Sequence, residues 1–154
     1  MNIVYSGDLD DKIAERLRIP KQTVHLVLYN YYHYLREKVN GNESIKVLNI
    51  CYLNNVDEPK DVERETMGYI STEISNFSNI GNVTILSILN TLEDVILEEL
   101  LNGIGVSIRG LIRIKYDKNT KKLTIRKSTS FNGKPVKAYI LYSFKRKVEL
   151  KDAG

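Results

Sequence analysis

Apolar positions along this chain recur at helical spacing in four stretches and turn to strand-like runs after two of them. From Asp8 to Leu17, acidic residues lead into a short amphipathic run, the order that a helix dipole favours. Arg18 to Pro20 interrupts it, and Pro20 suits the first turn of a following helix. That helix is predicted over 21–39, because Val24, Leu28, Tyr31 and Leu35 fall on one stripe. Asn40-Gly41 stops it, and the nearly continuous apolar run 45–53 reads as a buried strand.

The same order returns after a polar linker, 54–64, marked by Pro59. A helix is predicted over 65–77, with Ile70, Ile74 and Phe77 on one face. A loop over 78–82 and a longer helix over 83–101 follow, ending at Asn102-Gly103, and strand material over 106–116 bends at Gly110. Beyond it the pattern predicts a turn at 117–120, a strand over 122–127 and a loop over 128–135. A further strand over 136–144 and one or two helical turns over 147–153 end the chain. The expected fold class is α+β: a helix–helix–strand unit repeated in tandem. Its parts are a partial unit over 1–53, the linker, and a complete unit over 65–154 that adds a β-hairpin or sheet and a short C-terminal helix.

Charge sharpens this division. Residues 109–151 hold 14 Lys/Arg against two acids, whereas residues 1–108 hold nine bases and 16 acids. A net charge of +4 therefore conceals a polarised molecule, with a basic half suited to a polyanion or an acidic partner. No apolar run is long enough for a membrane span, and the first residues lack a secretory layout. The single cysteine, Cys51, excludes an internal disulfide and fits a reducing compartment, so the chain is expected not to be secreted.

Catalytic and metal chemistry find little support. His25 and His33 stand eight residues apart, too far for the spacing of a helical metal pair. No paired carboxylates, nucleophile–base set or reactive cysteine environment is evident, so neither an enzyme, a cofactor, a metal nor a small-molecule substrate is expected. Gly103-Ile104-Gly105 reads as a helix stop. The segment 13–24 resembles the opening of a DNA-reading helix-turn-helix, but Val24, Leu26, Val27 and Leu28 leave few side chains to read bases. The run from Tyr29 to Tyr34 offers base-stacking rings, yet on a helix its tyrosines diverge. Core packing plus an interface of Tyr29, Tyr31, Tyr32 and Tyr34 is the favoured reading.

Three segments carry a family resemblance. Residues 100–103 read LLNG, residues 105–114 read GVSIRGLIRI, and residues 144–153 read FKRKVELKDA. Together they make 64–154 look like one subunit of the HU / integration host factor family, and 8–53 resembles the helix–helix–strand half of the same fold. The resemblance implies dimerisation through the helical halves, here as a pseudo-dimer within one chain. It also implies two β-arms that reach the DNA minor groove and kink the duplex with an apolar wedge. Departures are equally plain: the Gly-Arg-Asn-Pro arm motif is missing, and the turn at 117–120 comes too early for a long arm. The loop at 131–135 supplies the remaining wedge candidates, Phe131 and Pro135.

Two functions follow. In one, the chain is an architectural DNA-binding and DNA-bending protein. Its phosphate contacts would be Arg113, Lys115, Lys121, Lys122, Arg126, Lys127, Lys134, Lys137, Lys145, Arg146 and Lys147. In the other, the fold is redeployed as an assembly subunit of a tailed-phage virion, of ring, neck or portal-vertex type. There the same bases would meet an acidic partner, and the expected partners are further copies or other virion proteins, with double-stranded DNA as an additional contact. The missing paired arms favour the second. The expected location is accordingly the virion, or the cytoplasm and nucleoid for the first reading.

Overall fold

The structure, a computed structural model, describes residues 2–55 and 67–154. The linker expected over 54–64 and the first two residues of the helix expected from 65 therefore fall largely outside it. The architecture is mixed α and β, with five helices and two sheets among the described residues. Their order is β1 (Ile3–Tyr5), α1 (Ser6–Leu17), α2 (Lys21–Asn40), β2 (Ile45–Val47), β3 (Cys51–Asn55), α3 (Met67–Ser78), α4 (Asn82–Leu101), β4 (Gly105–Ile108), β5 (Ile112–Asp117), β6 (Lys122–Lys127), β7 (Val136–Ile140) and α5 (Tyr142–Ala153). No helix among these residues is long and apolar enough to cross a membrane.

The helices form because each presents one apolar stripe, and they pack reciprocally. Helix α1 lies on both α2 and α4, while α3 lies on both α4 and α2. Val24, Val27, Leu28, Tyr31 and Leu35 of α2 meet Ile85, Leu89, Leu92 and Ile96 of α4 in one continuous buried cluster. A core shared in this way leaves neither helix pair able to bury its stripe alone. At the rim, Arg16 grips Glu98 in a forked pair at 3.1 and 2.6 Å, and Lys12 meets Glu99 at 3.0 Å. Both pairs join bases and acids within residues 1–108, so the acidic surplus of that half remains.

Both long strands expected from the sequence are in fact hairpins. Residues 45–53 break at Leu48, which adopts a left-handed φ of 50°. That conformation is costly for a branched side chain. It is held because the Leu48 amide donates to the buried Tyr31 hydroxyl at 2.8 Å and the Asn49 amide donates to Glu93 Oε1 at 2.8 Å. Residues 105–117 break at Gly110, with φ +68°, where a Cβ would stand 3.0 Å from Arg36 Cδ. Glycine is needed there for both turn and space.

Strand order separates the two sheets. The first is β1-β4-β5-β6, with β1 parallel to β4 and the rest antiparallel. The second is β2-β3-β7, antiparallel throughout. Strand β7 comes late in the chain yet completes the sheet begun by β2 and β3, so the C-terminal segment closes back on the N-terminal one. The last helix starts at Tyr142, where the sequence predicted strand to 144. Phe144 and Val148, one helical turn apart, then fall on one face and are buried. Along the apolar face of α3, Ile70 and Ile74 are buried, whereas Phe77 at its end is 69% exposed.

Candidate polyanion-binding face

Strand alternation sorts the basic residues. On β5, Ile112, Ile114 and Tyr116 point into the core, so Arg113, Lys115 and Asp117 point out. In the β5–β6 register, Arg113 stands opposite Arg126, Lys115 opposite Thr124, and Asp117 opposite Lys122. The outer face therefore carries four bases and one acid. That acid is engaged in its own turn, where Asp117 Oδ1 accepts from the amides of Asn119 at 2.9 Å and Thr120 at 3.3 Å.

Arg113 and Arg126 form a cross-strand pair of like charge, and neither has an ion-pair partner among the described residues. Such a pair destabilises a sheet unless an anion lies between. The pair opens into a groove of about 430 Å³ that also takes in Lys127, Ser128, Thr129 and Asn132. The floor is fixed by the Ser128 amide, which donates to Leu111 O at 2.8 Å, and by the Ser130 hydroxyl on Gly110 O at 3.4 Å. Two guanidiniums with hydroxyl and amide neighbours suit a phosphate or carboxylate group.

The second sheet adds a feature that sequence reasoning missed. Strand β7 lies beside β6 without sharing a ladder. On its outer side Tyr139 stacks on Tyr52 of β3, with ring centroids 5.1 Å apart. Lys137 stands opposite Asn54, and Lys46 opposite Tyr52. The alternation of Lys137 and Tyr139 was a usable signal, but nothing local paired it with Tyr52.

The remaining sequence-predicted bases are divided. Lys121 is bound to Asp152 at 2.6 Å, Arg146 to Glu149 at 3.5 Å, and Lys147 to Glu93 at 3.6 Å. Lys127 donates to Lys134 O at 3.2 Å, tying both residues to the groove wall. Lys145 is exposed on α5, away from the β5–β6 ladder in sequence and element. The Lys121–Asp152 contact belongs to a structural tie: Asp152 also accepts from the Tyr116 hydroxyl at 2.6 Å. Those two bonds hold the Asp152 carboxyl below its usual range, and the bond to Asp152 pushes Tyr116 up to about 12.

The expected wedge is not available. Phe131 is 2% exposed and sits in the core, so it anchors the loop instead of projecting from it; Pro135 is half-buried. Tyr31 and Tyr32 are likewise core residues, because the 3.6-residue period turns them inward, whereas Tyr29 is exposed and Tyr34 half-buried. Cys51 is fully buried, and burial pushes its thiol well above the usual range. Phe77, near the end of α3, and Val83, near the start of α4, are both largely exposed, at 69% and 79%. No protein-family model matches this chain, and no characterised protein matches its sequence.

Proposed function

We propose that this chain is a non-enzymatic structural protein with an HU / integration host factor-like fold, acting as an assembly subunit of a tailed-phage virion at a ring, neck or portal vertex. The observation that carries the reading is the α3–α4 corner, where Phe77 and Val83 lie largely in solvent. A large aromatic and a branched side chain exposed together are costly for a free monomer and useful at a protein interface. The reciprocal packing of α1–α2 with α3–α4 supports reading the tandem chain as a pseudo-dimer. The connections near the basic face support an assembly role over DNA bending. The β5–β6 turn spans only 118–121, and the segment after β6 is pinned by buried Phe131. The basic outer face then meets DNA or an acidic surface of a neighbouring protein.

Mass measurement and electron microscopy across a concentration series test this. Closed rings, or stoichiometric assembly, that Phe77→Ser with Val83→Ser abolishes are the expected result. A monomer at every concentration that bends duplex DNA would overturn it. The architectural reading keeps one observation in its favour, the unpaired Arg113–Arg126 pair, and a gel-shift salt series reads that contribution separately.

A further inference from the structure

A second cleft, of about 320 Å³, lies between the start of α1, residues 25–36 of α2 and the end of β4 with its turn to β5. This volume is at the lower end of ligand pockets, which run from about 300 to 1,000 Å³. Its walls combine groups that seldom meet by chance. Asp10 and Tyr32 line it and are almost wholly buried, at 3% exposure each. Asp10 Oδ2 is paired with His25 Nδ1 at 2.9 Å, but among the described residues no group hydrogen-bonds Asp10 Oδ1 or the Tyr32 hydroxyl. A buried polar atom left so is destabilising, and a ligand hydrogen bond offsets that loss. Burial pushes the Asp10 carboxyl above its usual range, and the His25 bond partly counters this.

The rim has the opposite chemistry. Arg36 and Arg109 both line the cleft. Arg36 Nη1 spends one donor on Arg109 O at 3.0 Å, and the Arg109 amide donates to Ser6 Oγ at 2.9 Å, so rim and α1 are fixed together. At the first turn of α1, a side chain on Gly7 would meet nothing within 4 Å, so this backbone faces open space. Two guanidiniums beside a helix start favour an anionic group. Asp8 already takes the Tyr5 amide, which donates to its Oδ2 at 3.2 Å, so an anion in the cleft depends on the two guanidiniums. Between rim and floor stand the rings of Tyr29 and His25.

We propose that this cleft binds a guanine mononucleotide, with its phosphate at Arg36 and Arg109 and its base edge at Asp10 and Tyr32. Guanine offers two adjacent N–H donors to one carboxylate and a carbonyl to a hydroxyl. Tyr29 and His25 supply faces for the ring. Reaching the floor requires a side chain to shift, and His25, 58% exposed, has room to do so. The inference is independent of the assembly reading, because none of these residues belongs to the α3–α4 corner.

Isothermal titration of the full chain with GMP, AMP and inorganic phosphate tests it. GMP is expected to bind saturably, with AMP and phosphate weaker by about tenfold or more. Asp10→Asn should lose most of that preference. Tyr32→Phe removes a hydroxyl that no group among the described residues hydrogen-bonds, so it should fold normally and bind GMP about fivefold more weakly. Absence of GMP binding at millimolar concentration would overturn the proposal. So would AMP binding as tightly as GMP, or wild-type GMP affinity in Tyr32→Phe.

Discussion

On β5 and β6, Arg113 and Arg126 face one another across the ladder with no acid between them. On α5, Arg146 and Lys147 each lie within reach of a carboxylate, Glu149 or Glu93. The two regions are similar in charge density along the sequence, yet the facing arginines have no ion-pair partner among the described residues, whereas α5 pairs Arg146 and Lys147 and leaves Lys145 exposed. Helix α5 spends much of its polarity on holding the fold closed, together with the Tyr116–Asp152–Lys121 tie. A basic segment is thus two things at once, a clamp and a docking face, and the ion pairs tell them apart.

The strongest test of this contrast is Phe144→Ala. It removes the main apolar anchor of α5 and is expected to cost about 3–5 kcal/mol in urea unfolding. A cost below about 1 kcal/mol would mean that α5 is not a clamp. Next comes Arg113→Ser with Arg126→Thr. Polyanion binding, read on a short DNA duplex across a salt series, should fall by about tenfold or more, and the log–log salt slope should drop by about 2. The triple change Lys145→Ala, Arg146→Ala and Lys147→Ala removes more charge but should weaken binding less. The reverse order would invert the assignment of the two regions.

The same Arg113/Arg126 double variant should gain about 0.2–1 kcal/mol of stability, because it relieves a like-charge cross-strand pair. The smallest effect is that of acid. Glu98, through its bond from Arg16, and Asp152, through bonds from Lys121 and Tyr116, are both held below the usual carboxylate range. A lowered folded-state value means that fewer protons are bound in the folded form. The stabilisation is therefore present at neutral pH and lost as pH falls below about 4. Thermal melts from pH 7 to 3 should show this loss weakened in Asp152→Asn.

The helices were legible because a stripe of Val24, Leu28, Tyr31 and Leu35, or the Gly stops after Asn40 and Asn102, are local signals. The hairpin at Leu48 was not, since its left-handed turn depends on Tyr31 and Glu93, which are distant in sequence. Of the expected phosphate contacts, Arg113, Lys115, Lys122 and Arg126 were singled out by charge, and the β5–β6 register brings them onto one ladder. Lys121, Arg146 and Lys147 each meet a carboxylate, Asp152, Glu149 or Glu93, and the first and last of these contacts are long-range and invisible to charge counting. Phe131 read as a loop residue because nothing near it in the chain announces the core that it enters. The cleft under Arg36 was invisible for the same reason, as its walls come from separate segments.

What the sequence determined by itself was periodicity and composition: which stretches are helical, where they stop, that α and β are mixed, and that the two ends differ in charge. These follow from steric preference and amphipathic spacing over a few residues. Tertiary structure alone decided that β1 joins β4, that β7 completes the sheet of β2 and β3, and which bases stay free. Strand partners and ion pairs are contacts between residues far apart in the chain. Their energies depend on what the shared core brings together, and no local pattern encodes that.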